Sequence, residues 1–117
     1  MFRSEYIIRR YEKADGEGYR LFRDNPIRLN IQSLNTRELE ALPEGERSAR
    51  RVKSFSSSEI RTVNQREEIP ADRLYYQGEW YECEQASRWA HTPLAHWEGQ
   101  WVVLPEGEQQ EAPEVVL

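Results

Sequence analysis

The stretch DRLYYQGEWYECEQ, residues 72–85, constrains this chain more than any other part of it. Two runs rich in tyrosine, tryptophan and leucine meet at Gln77-Gly78, where a glycine can take the positive φ of a tight hairpin turn. On the second run Tyr81 and Cys83 face one way, and Trp80, Glu82 and Glu84 the other. Similar β-forming runs recur along the chain. RSEYIIRRYE (3–12) reads as a first strand, KADGEG (13–18) as a turn and YRLFR (19–23) as a short second strand. DNP (24–26) reads as another turn. In IRLNIQ (27–32), Ile27, Leu29 and Ile31 alternate with Arg28, Asn30 and Gln32, the period of a half-buried strand. ARRVKSFS (49–56) and WEGQWVVL (97–104) complete the set, the latter with Trp97, Trp101 and Val103 on one face. SSSEIRTVNQREEIP (56–70) reads as the longest loop and SRWAHTPLAH (87–96) as another. The expected class is all-β: a small barrel or sandwich of six to seven short strands.

One segment departs from strand patterning. In SLNTRELEALPEGERSARR (33–51), Asn35 or Thr36 can cap a short helix, with Glu38 in the first turn where the helix dipole favours a carboxylate. Leu39 and Leu42 are three apart and share a face. Pro43 stops the helix and Glu44-Gly45 turns the chain. The reading is a barrel domain over residues 1–104, an arm projecting from it over about 33–51, and an acidic, flexible tail over 105–117. The tail holds four glutamates and no base. Its last residues, Val115, Val116 and Leu117, read either as an apolar hook or as a loose end.

Composition sets limits on what this fold can do. With 117 residues the chain forms one domain. Only 38% of residues are apolar against 32% charged, so the core must lean on four Trp, six Tyr and three Phe. No apolar run nears the ~20 residues of a membrane span, and MFRSEYIIRRYE lacks the apolar core of a signal peptide. A single cysteine, Cys83, rules out an internal disulfide and fits a reducing compartment. The expectation is a protein made and folded in a cytoplasm.

The sequence offers no active site. His91 and His96 with Cys83 give three metal-ligand candidates where a structural zinc wants four, so no metal is expected. Cys83 has Glu82 and Glu84 as neighbours, the wrong charge for a reactive thiolate. No glycine-rich phosphate loop is present and no cofactor is implied. Nucleic-acid binding by a small barrel is the alternative from another class, resting on RSARRVK (47–53). Against it stand a net charge of −5 and aromatics concentrated away from the arginines.

Assembly fits better. Residues 1–66 carry 14 basic and 10 acidic side chains, and residues 67–117 carry 2 and 11. Arginines outnumber lysines 14 to 2, and arginine is the cation that pairs bidentately with carboxylates at interfaces. Leu39, Leu42 and Pro43 supply apolar anchors, and Arg47, Arg50 and Arg51 a cationic rim. Glu79, Glu82 and Glu84 on the hairpin form a candidate acceptor. A donor and an acceptor on different faces make a heterologous contact, which can close into a ring.

A resemblance sharpens this reading. The segments IQSLNTRELEALPEGERSARRVKSF and ADRLYYQGEWYECEQASRWAHTPLAHWEG resemble a family of small structural proteins of tailed bacteriophages. The matching positions include Gln32, Leu34, the LPEGER run from Leu42 to Arg47, Ala71-Asp72-Arg73, Gly78, Trp80, Tyr81, Glu82, Trp89, His96 and Trp97, within about residues 27–104. Cys83 replaces an aliphatic residue of that pattern, and the acidic tail lies outside it. The family comprises head-completion, or head-closure, components of the phage neck (head–tail connector or collar). The resemblance implies a non-enzymatic β-barrel subunit in a homo-oligomeric ring, a homododecamer or a homohexamer. That ring joins the portal or adaptor of the DNA-filled head to the tail or gateway protein below. DNA would pass through the channel without specific binding, and no membrane is involved. The implied location is the virion, after assembly in the bacterial host cytoplasm. A tail-completion or terminator protein of the same neck is the alternative within the class.

Overall fold

A computed structural model describes residues 4–13, 20–46, 48–90 and 95–114. Six strands close into an antiparallel barrel: β1 (Ser4–Lys13), β2 (Arg20–Ser33), β3 (Arg51–Ser56), β4 (Arg73–Tyr76), β5 (Glu79–Trp89) and β6 (His96–Val103). Their order round the barrel is β1-β2-β3-β6-β5-β4, with β1 pairing β4 to complete the circle. The all-β expectation holds, and of its two forms the chain takes the barrel. One short helix, α1 (Thr36–Glu40), and a 3-10 turn at Glu44–Glu46 lie between β2 and β3.

Among the described residues the strands number six because the two expected strands at 19–23 and 27–32 are one. β2 runs unbroken through Asp24-Asn25-Pro26, which pair with Arg9, Ile8 and Ile7. Proline survives there because β3 joins β2 only at Asn30–Ser33, so the missing N–H of Pro26 forfeits no bond on that side. The stretch read as a loop at 87–96 is also shorter than expected. β5 continues through Ser87, Arg88 and Trp89, and β6 begins at His96. The long loop expected over 56–70 is present and runs from 57 to 72, apart from one isolated bridge between Asn64 and Ile69.

Alternation places Ile8, Leu29, Leu74, Tyr81, Cys83 and Trp101 inside the barrel, where Ile60 and Ala71 of the long loop plug the same cluster. Trp101 is fully buried and donates its indole N–H to Ser54 Oγ at 2.9 Å. Gly99 is required beside it: a Cβ there would lie 3.0 Å from the Trp101 indole nitrogen and 3.1 Å from Ser54 Oγ. The predicted hairpin turn forms between β4 and β5, with φ of 50° at Gln77 and 81° at Gly78, both in the left-handed region that a two-residue turn needs.

A second, smaller core lies outside the barrel. Ile7, Trp80 and Leu104 are buried against Tyr75, and the chain after β6 covers them. Gln109 accepts the backbone N–H of Trp80 at 2.8 Å and donates to the carbonyls of Trp80 (3.0 Å) and Leu104 (2.9 Å). The Glu111 carbonyl accepts the Trp80 indole N–H at 3.0 Å. The segment read as a flexible tail is therefore strapped to the barrel as far as Glu111. Its apolar end, Val115–Leu117, lies outside the described residues.

Candidate functional site

The connection from β2 to β3 and the β4–β5 hairpin meet at one end of the barrel. β2 delivers Leu34 as a buried side chain, and Asn35 starts α1 with a reciprocal cap. The Asn35 carboxamide accepts the Glu38 N–H at 2.8 Å, while Glu38 accepts the Asn35 N–H at 3.0 Å. A five-residue helix has almost no stability of its own. Lys53 of β3 anchors it by donating to Glu38 at 2.8 Å. The Asn35 N–H, followed by Lys53, holds the Glu38 carboxyl below its usual range. The expected arm is thus folded back and tethered to the strand that follows it.

Arginines finish the tether. The Arg51 side chain, only 4% exposed, donates Nε to Glu84 at 2.7 Å and reaches the carbonyls of Glu46 and Ala49. Glu84 also accepts from Gln100 at 2.7 Å. It can do so because it is a bulge residue. Cys83 pairs with Trp101 and Gln85 with Gln100, leaving Glu84 between them without a ladder partner. Arg50 pairs with Glu79 across the mouth of the hairpin, and this pair is largely exposed.

The expected donor and acceptor patches consequently do not lie on different faces. Arg50 and Arg51 already hold Glu79 and Glu84 of their own chain, because the hairpin turn and the bulge bring those carboxylates under the returning arm. Glu82 stands opposite Arg73 on β4 and Val102 on β6. Leu39 and Leu42 are half-buried and Pro43 is exposed; Leu42 falls in the turn after α1 and not on its face. Arg47 lies outside the described residues.

Between arm and hairpin runs a groove of about 510 Å³. Leu34, Leu39, Val52, Tyr76 and Tyr81 supply its apolar walls, and Arg50 and Arg51 its polar side. Its lining holds two cations and no carboxylate.

Two further ion pairs had no counterpart in the sequence reading. Arg9, 8% exposed, binds Asp24 through both arms of its guanidinium at 2.7 and 2.9 Å and donates to Gln110 at 2.7 Å. Its guanidinium carbon lies 4.1 Å from the ring centre of Phe22 and 4.5 Å from that of Trp80, so the cation is gripped by two π faces. Arg10 meets the fully buried Asp72 in the same bidentate way, at 3.1 and 2.8 Å. Asp72 also accepts the Arg61 N–H at 3.0 Å, which fixes the long loop to the barrel. The residues of these pairs are separated by 15 and 62 positions, and no local pattern announces them.

The groups weighed for catalysis are engaged structurally. Burial, with the charge of Asp72 behind it, pushes the Cys83 thiol up to about 12, and the thiol donates to the Gln85 carbonyl at 3.3 Å. His96 sits 3.1 Å from a Glu98 oxygen and stacks on Trp89. His91 lies outside the described residues, and among those described no cluster of three metal-ligating side chains occurs. No described helix is long and apolar enough to cross a membrane. The sequence matches no known protein-family model and no curated protein.

Proposed function

We propose that this chain is a structural subunit, not an enzyme, which assembles as a ring at the head–tail junction of a tailed bacteriophage. The resemblance of the LPEGER and ADR…G…YE segments supplies the class. The observation that carries it is the end of the barrel where arm and hairpin meet. There the arm is tied to β5 by Arg51–Glu84 and to β3 by Lys53–Glu38, beside a groove whose lining holds apolar side chains, two arginines and neutral polar residues but no carboxylate. A rigid recess of this kind suits a heterologous contact between identical subunits. Arg50–Glu79 is the exchangeable part, since an exposed pair contributes little and can be traded for a neighbour's carboxylate.

The geometry favours assembly over nucleic-acid binding. Three arginines that could neutralise phosphates (Arg9, Arg10 and Arg51) are occupied by Asp24, Asp72 and Glu84. A net charge of −5 also suits a channel that lets DNA slide, because contacts to phosphate raise affinity with each cation engaged. The direct test is imaging of phage particles carrying a small tag on this chain. Label confined to the neck supports the reading. Particles without label, or with label on capsid or tail tube, overturn it.

A further inference from the structure

We infer that the strap over Trp80 is a latch that holds the groove between arm and hairpin in shape, so that releasing the strap loosens the groove. Only the consequence for assembly rests on the ring reading. The strap is fastened by hydrogen bonds and hardly by apolar burial. Residues 106–108 and 110–112 are exposed, and Gln109 and Pro113 only half-buried. Its grip is the Gln109 carboxamide on Trp80 and Leu104, the Glu111 carbonyl on the Trp80 indole, and Gln110 on Arg9. A cleft of about 640 Å³ opens beside it, against Phe22 and Asp24. Segments with so few apolar contacts open before the core they lie on.

Both residues that Gln109 clamps lead to the groove within one step of chain. Trp80 is flanked by Glu79, which pairs with Arg50, and by Tyr81, which lines the groove. Leu104 follows Val103, whose N–H donates to the Arg50 carbonyl at 3.0 Å and which stands opposite Tyr81 in the ladder. The Leu104 N–H in turn donates to the Trp80 carbonyl at 3.0 Å. Gln109 thus braces the point where β5 begins and β6 ends, next to Arg50. The hairpin has little else to hold it there. β1 pairs with β4 only at positions 73–75, so the groove residues Tyr76 and Gln77 lie past the last rung on that side. With the strap lifted, the Trp80 backbone N–H and indole N–H lose their partners. A partner that draws the strap away therefore switches the groove off. A filled groove tightens the strap, since coupling between two sites acts equally in both directions.

Hydrogen exchange of the full chain tests this. Gln109→Met keeps the side-chain length and removes its three bonds to Trp80 and Leu104. Exchange at the Val103 N–H and through residues 76–81 is expected to speed up at least tenfold, with the β1–β2 ladder unchanged. Ile60→Ala, a core change outside the strap, controls for lost global stability and should not single out those amides. Faster exchange confined to residues 105–114, or a rise shared equally by the whole barrel, overturns the inference. If Gln109→Met does not fold, the unsubstituted chain decides. Its Val103 and 76–81 amides should open below the free energy of global unfolding; opening only with the whole barrel overturns the inference. Self-association scores the ring reading separately. Loosened amides with assembly intact leave the latch standing and contradict the groove as the ring contact; assembly lost with the amides unmoved contradicts the latch.

Discussion

The buried charges of this protein, Arg9 and Asp72, are each held by an oppositely charged partner. Asp72 is 1% exposed and would be prohibitive as a lone ion. Arg10 from the first strand and the Arg61 N–H from the loop make it a junction between distant parts of the chain. Asp72→Ala should destabilise the fold by about 3 kcal/mol, the low end for breaking a buried pair, because Arg10 keeps its bond to the Glu59 carbonyl. Urea unfolding with an unchanged slope is the measurement. Cys83 gives a pH signature of known sign. Its thiol ionises near 8.5 when unfolded but at about 12 when folded. Stability from this group is thus intact below pH ~8.5 and falls as pH rises above it, by at most ~1.4 kcal/mol per pH unit. Cys83→Ala should flatten that decline, and a thiol reagent at pH 8 should label the native protein only after unfolding.

At the level of elements, sequence patterning succeeded where structure is local and failed where it is set across the sheet. The Gln77-Gly78 turn and the alternation in 27–32 depend on neighbouring residues, and both were legible. So was the Asn35 cap, whose partner Glu38 is three positions away. Asp24-Asn25-Pro26 misled because turn chemistry was overridden by pairing with the first strand, a tertiary effect. The Glu84 bulge was equally invisible: nothing in YECEQ says which residue lacks a partner, yet the bulge aims Glu84 at Arg51 and turns a supposed intersubunit acceptor into an internal one. Gln77→Asn should stabilise the hairpin by ~0.5 kcal/mol, since asparagine tolerates φ of 50° better. Glu38, held below its usual range by the Asn35 N–H and Lys53, contributes stability present above pH ~4.3 and lost as pH falls through its folded value. The stability difference between the native chain and Glu38→Gln should therefore shrink as pH falls below ~4.3, read from thermal melts across an acid series.

For the whole molecule, the strap closes over Trp80, whose chain neighbours Glu79 and Tyr81 face the returning arm. Charge divides along the sequence, +4 over residues 1–66 and −9 over residues 67–117. The barrel class was readable from strand patterning. The strap was not, because Trp80–Gln109 and Arg9–Gln110 join residues 29 and 101 positions apart. Directional subunits of one kind, joined by one repeated contact, either close or grow without limit. The most direct measurement is the mass of the purified full chain by native mass spectrometry over a hundredfold range of concentration. A single closed oligomer of fixed stoichiometry, giving way only to monomer on dilution, is the predicted result; monomer at every concentration, or an open ladder of masses, would contradict it.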